Sequence, residues 1–153
     1  MEFIQKIEIQ IMNKKKFLLS VLIIFFLSSI AAYSAKTDYF SQGKILFEKK
    51  KFEDSKFFFE KDIVFNPKSE KSYLYLAKIY NKKEEEFQEE MNLNNVLILN
   101  PKNDEAIYML ILIKINQSDY KKANALIEKF EKVCKSFCSK KDEIKKKFSK
   151  LKP

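Results

Sequence analysis

Histidine, arginine and tryptophan are absent from this chain, and glycine occurs once, at Gly43. Without histidine there is no side chain whose ordinary pKa suits general acid–base work near neutral pH, and imidazole-containing zinc sites are excluded. A single glycine leaves no glycine-rich loop to cradle a phosphate. All 30 basic residues are lysine. Arginine's planar fork is what grips base edges and phosphates in pairs of hydrogen bonds, so nucleic acid is not expected as a partner. The acids Glu84, Glu85 and Glu86, followed by Glu89 and Glu90, are close enough to be imagined as paired carboxylates. Their polar, helical surroundings read instead as a solvated face. No enzymatic activity, cofactor or metal is therefore expected.

What is present falls into three stretches of different charge. Lys14, Lys15 and Lys16 precede nineteen residues, Phe17 to Ala35, without a lysine or an acid. A basic start, an apolar run from Phe17 to Leu27 and small residues from Ser28 to Ala35 have the pattern of an export signal. Ala32-Tyr33-Ser34 satisfies the small-x-small rule and places the expected cut before Ala35. An uncleaved anchor is the alternative, since a membrane-spanning helix needs about 20 mainly apolar residues; Ser20, Ser28, Ser29 and Ser34 dilute the run. A buried core helix is a third reading. In the first two the lysines stay inside and the downstream chain crosses, giving a periplasmic or extracellular protein, or one anchored in the inner membrane with its folded part outside the cytoplasm. Met12, just before the lysines, makes a natural start, with residues 1–11 an extension. From Lys36 to Glu128 there are 16 lysines and 16 acids; Lys129 to Pro153 holds ten lysines and three acids.

The central stretch repeats. Asn66-Pro67 and Asn100-Pro101 stand 34 residues apart, and the chain between them overlays residue by residue. Tyr39 falls on Tyr73, Gly43 on Ala77, Leu46 on Tyr80, Phe59 on Leu93, Ile63 on Leu97 and Phe65 on Leu99. A looser third copy places Leu110 on Leu76 and Ala123 on Ser55 and Glu89. This period is that of a helix-turn-helix hairpin plus connector, a unit that hides its apolar face only by stacking on a neighbour. Tyr73, Leu76, Ala77 and Tyr80 share one helical face, and Phe52, Phe59 and Ile63 another. Pro67 and Pro101 lack the amide hydrogen of a helix interior and push Asn66 and Asn100 out of helical geometry. Ser69, Asn103 and Asp104 suit helix starts. The expected helices are Tyr39–Lys50, Phe52–Phe65, Glu70–Lys82, Glu85–Leu99, Asp104–Asn116, Tyr120–Val133 and Lys140–Leu151. The last carries Ile144, Phe148 and Leu151 on one face and would cap the stack.

Tyr39, Gly43, Leu46, Ser55, Phe59 and Pro67, then Tyr73, Leu76, Ala77, Tyr80, Leu93 and Pro101, then Leu110, Tyr120 and Ala123, resemble the tetratricopeptide repeat. The departures are Gln42, Asp62, Glu89 and Ile111. The resemblance implies a right-handed all-α solenoid of three hairpins, 36–69, 70–103 and 104–133, after an N-terminal signal or anchor segment, 1–35. A Cys-containing turn and basic cap, 134–153, would complete the chain. It also implies a concave face lined by the first helix of each hairpin: Thr37, Phe40, Lys44, Phe47 and Glu48; Lys71, Leu74, Lys78, Asn81 and Lys82; Glu105, Tyr108, Leu112, Ile115 and Asn116. Apolar walls with a few lysines suit a peptide or helix that packs its apolar side inward. Lys44, Lys78, Asn81 and Lys82 match only part of the family's carboxylate clamp. The same aromatics could equally fill gaps between repeats or meet a second copy.

Cys134 and Cys138, the two cysteines, lie four residues apart, within reach of a disulfide if the helix distorts around Lys135, Ser136 and Phe137. Two free thiols, a metal or redox site, and an intermolecular bridge are the alternatives. The expectation is an exported scaffold that binds a peptide or protein partner through its concave face. A self-associating envelope subunit and a lysine-mediated binder of anionic surfaces through Lys140–Lys152 are the other readings, and an uncleaved N-terminal segment would add membrane attachment.

Overall fold

The computed structural model describes residue 12, residues 14–20 and residues 38–151, in two units that divide after Thr37. In the first unit residues 14–20 are helical. The expected cut at Ala32-Tyr33-Ser34, most of the apolar run and Thr37 lie outside the described residues. Among the described residues no helix is long and apolar enough to cross a membrane.

The second unit is a right-handed α-solenoid. Its helices are α1 (Tyr39–Glu48), α2 (Phe52–Phe65), α3 (Glu70–Lys82), α4 (Glu86–Leu99), α5 (Asp104–Asn116), α6 (Tyr120–Val133) and α7 (Lys141–Leu151). They form the hairpins α1/α2, α3/α4 and α5/α6, and each second helix packs on the first helix of the next hairpin. Every regular element among the described residues is helical.

The same turn closes all three hairpins. Lys50, Glu84 and Ser118, successive copies of one repeat position, take positive φ of 59°, 59° and 58°. Around them the amides of Lys51, Glu85 and Asp119 reach the carbonyls of Leu46, Tyr80 and Lys114. Those of Lys50, Glu84 and Ser118 reach Phe47, Asn81 and Ile115. This pair of bonds is the Schellman motif, which satisfies the last carbonyls of a helix. It ends α1 at Glu48 rather than at Lys50 and delays α4 to Glu86 rather than Glu85. Between hairpins, Asn66 and Asn100 are extended, with φ of −137° and −139°, as the following prolines require.

Side chains of Asp38, Asn103 and Asp119 cap α1, α5 and α6 by accepting from the amides of Ser41, Ala106 and Lys122. Ser69 does not cap α3 as expected. Its hydroxyl donates to that of Ser72, which in turn donates to the buried Asp62.

Three apolar clusters succeed one another along the stack. The first joins hairpins one and two around Phe59, Leu76, Ile79 and Tyr80. The second joins hairpins two and three around Ala77, Leu93, Val96, Ala106, Leu110 and Ile113. In the third, Ile144 of α7 closes the last hairpin against Ile107, Ile111, Ile115 and Phe130. Each fully buried side chain of this size contributes about 1.5–3 kcal/mol. The cap therefore covers the last stacking face, one residue later than expected because Cys138–Lys140 forms a short 3-10 turn.

Close approach within each hairpin is secured in three ways. Gly43 lies under the Phe59 ring, where an added Cβ would stand 2.8 Å from a ring carbon, and the Ser55 hydroxyl donates to the Gly43 carbonyl at 2.8 Å. The equivalent pair in hairpin two is Ala77 with Glu89, and in hairpin three Ile111 with Ala123. All four are buried. Ile111 is tolerated because the helix facing it offers only the methyl of Ala123.

The face of α1 that corresponds to these inter-hairpin surfaces carries Ser41, Gln42 and Ile45, where α3 has Tyr75, Leu76 and Ile79 and α5 has Met109, Leu110 and Ile113. Ser41, Gln42 and Ile45 are exposed. The departure at Gln42 thus falls where there is no preceding hairpin to pack against in this unit.

Candidate partner-binding groove

A groove of about 680 Å³ is lined chiefly by α3 and α5, with Phe47 of α1 and Lys147 of α7 also in its wall. Leu112, Met109, Ile113, Phe47 and Tyr108 supply its apolar surface, and Asn116 also lines it. The 3–4 residue spacing of Glu105, Tyr108, Leu112 and Asn116 along α5 is what turns one stripe of that helix inward.

Six of the expected residues line it: Phe47, Lys78, Asn81, Lys82, Tyr108 and Leu112. Four do not. Phe40 is drawn into the junction between hairpins, its ring centroid 5.8 Å from Phe59 and 5.7 Å from Tyr75. Lys44 is exposed and pairs with Glu48 one turn on. Leu74 packs on the Ala77–Leu93 cluster. Ile115 is only 2 % exposed and belongs to the core beneath α7. A cap that buries Ile144 needs an apolar floor, and Ile115 is part of it. Phe47 serves both roles, since its ring also meets Tyr75 edge-on at 5.0 Å. Of the wider expected set, Glu105 and Asn116 line the groove, and Lys71 is exposed with its ammonium 5.8 Å from the Phe40 ring.

Four of the groove's polar groups are committed to one another. Lys78 pairs with Glu105 at 2.8 Å and lies 4.9 Å from the centre of the Tyr75 ring. Asn81 donates to both oxygens of Glu89 at 3.1 Å. Burial pushes the Glu89 carboxyl above the usual range; the Asn81 donation offsets part of this and neighbouring Glu86 adds to it. Lys82 makes no ion pair among the described residues. Three of the four candidate members of the partial carboxylate clamp, Lys44, Lys78 and Asn81, already hold acids of this chain.

Sequence reasoning missed Glu84, Glu86, Glu89, Met109, Ile113 and Lys147 as lining residues. Glu89 was visible as a departure from the repeat. Lys147 was not, because the first-helix rule says nothing of a cap that folds back along the concave side.

The cysteine turn does not line the groove but contacts two residues of α5, Asp104 and the groove residue Tyr108. Cys134 and Cys138 are bonded, with Cα atoms 5.2 Å apart, and α6 stops at Val133 just before them. The enclosed amides of Lys135, Ser136 and Phe137 all donate to Oδ2 of Asp104, at 2.7, 2.6 and 2.9 Å. Burial alone would raise the Asp104 carboxyl, but these three donors outweigh it and hold it below the usual range. The Phe137 ring lies 5.7 Å from Tyr108, whose hydroxyl donates to Glu143 of α7 at 3.2 Å. Burial and then the Glu143 charge raise the Tyr108 phenol.

Behind the groove, Lys114 is almost fully buried and pairs with Glu90, which also accepts from Gln117. Burial would raise Glu90; its bonds to Lys114 and Gln117 prevail and lower it. Among the described residues no buried side-chain nitrogen or oxygen lacks a partner, and no group of acids and cysteines is placed to hold a metal ion.

No protein-family model and no curated protein matches this sequence. Several solved structures match its fold. The first TPR of Spaghetti (RPAP3), bound to the HSP90 peptide SRMEEVD, superposes with a TM-score of 0.65 at 15% identity, over 74% of this chain and 92% of that one. The Sgt2 TPR domain from Aspergillus fumigatus gives 0.61 at 16% identity, over 73% and 78%. The CopN–Scc3 complex gives 0.59 at 16%, over 75% and 67%. The stacked hairpins define the class: this chain has the tetratricopeptide-repeat fold.

Proposed function

We propose that this chain is an exported scaffold that holds a peptide or protein segment in the groove between α3 and α5. The observation that carries the reading is the half-buried apolar strip of Tyr108, Met109 and Leu112 at the groove floor, flanked by the Lys78–Glu105 and Asn81–Glu89 pairs already made within the chain. Such a floor favours an apolar side chain from a partner, while the pre-paired rim limits the desolvation that binding demands. Selection of a displayed random-peptide library against the folded chain tests it. Enriched peptides should bind the parent and lose at least about tenfold in affinity to Leu112→Asp; enrichment that ignores this substitution removes the groove. Phe47 is a poorer probe, since its loss also disturbs the Tyr75 stack. Export rests on Lys14–Lys16 and the uncharged stretch after them. Mature N-terminal sequencing from a fractionated host tests it, with a product that keeps its lysines and stays in the cytoplasm counting against it.

Self-association is the second reading, favoured by the convex side. Phe57, Val64, Phe87 and Ile98 are 56%, 74%, 76% and 77% exposed on α2 and α4. A depression of about 500 Å³ lined by Leu97, Leu110, Ala125 and Leu126 opens nearby. Sedimentation of the purified chain at rising concentration decides this; a constant monomer mass would end it.

A further inference from the structure

We propose that the Cys134–Cys138 bond is a redox latch on the concave groove, setting the position of its α5 wall through Asp104 and Tyr108. This regulation rests on the groove reading given above. The bond closes a five-residue turn in which three consecutive amides converge on one oxygen of Asp104. Asp104 is the first residue of α5, the helix that brings Glu105, Tyr108, Met109 and Leu112 into the groove. Phe137, inside the closed turn, touches Tyr108, and Tyr108 is tied to the cap through Glu143. Lys140, just beyond the turn, pairs with the same Glu143.

A closed turn of this kind holds its amides in a concave arrangement that suits an anion. Opening it restores rotational freedom to Lys135, Ser136 and Phe137, and the three donors no longer converge. The step is a thiol–disulfide exchange with a dithiol reductant, either a redox protein or a small dithiol. One reductant thiolate attacks a cysteine sulfur, and the S–S electron pair leaves on the other cysteine. The second reductant thiol then resolves the mixed disulfide, leaving two protein thiols and an oxidised reductant. Both cysteines are partly exposed and open to attack.

The test is amide exchange and methyl-region NMR on the isotope-labelled full chain, with and without dithiothreitol. Reduction should speed exchange at Lys135, Ser136 and Phe137 by about tenfold or more. It should shift Tyr108, Met109 and Leu112 and leave α1 to α4 unchanged. Asp104→Asn in the oxidised chain should move the same groove residues. Protection that survives reduction overturns the latch, as do groove resonances that stay put. Loss of protection spreading through α1–α4 overturns it too, because the bond would then be a global staple. A peptide selected on the oxidised chain should bind the reduced chain at least about threefold more weakly, and equal binding refutes the regulation. If no peptide distinguishes the parent from Leu112→Asp, the groove reading fails on its own, while the exchange data still decide whether the bond positions α5.

Discussion

The two junctions between hairpins are built from the same repeat positions with opposite chemistry. Between hairpins one and two, Phe40, Phe47, Phe59 and Tyr75 form a ring cluster, and the buried Asp62 accepts from the buried Ser72. Between hairpins two and three the copies of Asp62 and Ser72 are Val96 and Ala106, both fully buried, and the packing is aliphatic. The polar contacts of that second junction use other positions, where the buried Lys114 meets Glu90 and Glu70 accepts from Asn100 at 2.9 Å. A buried hydroxyl–carboxylate pair occupies these positions in one interface, while aliphatic side chains fill the same positions in the other. The repeat constrains where helices meet, not what fills the gap.

The largest effect should come from breaking the polar pair on one side. Ser72→Ala leaves the Asp62 carboxyl buried without that donor and should destabilise the chain by about 1.5–3 kcal/mol in urea titration. Asp62→Val with Ser72→Ala recreates the second junction's chemistry in the first. The double variant should return to within about 1 kcal/mol of the parent. If it is as unstable as Ser72→Ala, the two junctions are not interchangeable and the comparison fails.

Next in size is the crossing itself. Gly43→Ala drives a methyl to 2.8 Å from the Phe59 ring. Overpacking of this kind runs to about 1–3 kcal/mol, and the better helix propensity of alanine recovers up to about 1. Phe59→Leu should cost about 1–2 kcal/mol alone. Together they reproduce Ala77 under Leu93, and thermal unfolding should show the two losses compensating by about 1–2 kcal/mol. Strict additivity would mean that the ring and the glycine do not share one space.

How far the sequence disclosed this arrangement depends on whether a feature repeats. The period, the helix ends at the two Asn-Pro steps, the close contact at Gly43 and Ala77, and the cap that carries Ile144 were all legible, because each arises from local backbone chemistry or a periodic apolar face. The four groove residues assigned elsewhere were not. Phe40 and Leu74 occupy positions that face the groove in a generic hairpin, but here they fill space left by particular neighbours. Ile115 was claimed by a cap whose docking angle no repeat specifies. The use of Asp104 by three amides of the cysteine turn pairs residues about thirty positions apart through a non-repeating segment. Periodicity cannot reveal such a contact.

A smaller effect separates two acids, Glu89 within α4 and Asp104 at the start of α5. The Glu89 carboxyl is raised by burial, so the folded chain holds that proton more tightly than the unfolded one. Its contribution to stability is present below the unfolded pKa and lost as pH rises through the higher folded value. Asp104 has the opposite sign. Its folded pKa is lowered, so its contribution is present above the unfolded value and disappears as pH falls through the folded one. Glu89→Gln keeps an acceptor for Asn81 without burying charge. It should stabilise the chain near neutral pH by about 1 kcal/mol or less, a gain that shrinks as the pH falls toward Glu89's own titration. A gain independent of pH would show that Glu89 carries no burial strain.

The smallest effect tests what all three hairpins share. Lys50, Glu84 and Ser118 occupy the left-handed region without being glycine. For such residues this conformation costs about 1–2 kcal/mol, while glycine enters it freely but loses more chain entropy on folding, about 0.5–1 kcal/mol. The difference predicts that each of Lys50→Gly, Glu84→Gly and Ser118→Gly stabilises by about 0.5 kcal/mol, a rise of a few degrees at most in Tm. Glu84 also lines the groove, so its replacement joins the backbone test to the binding test, whereas Lys50 and Ser118 isolate the turn. Equal gains at all three would mean that the turn behaves as one unit regardless of the junction beside it. A gain at Ser118 with none at Lys50 would mean that the aromatic junction, which places Phe47 immediately before that turn, restrains it more tightly than the aliphatic one.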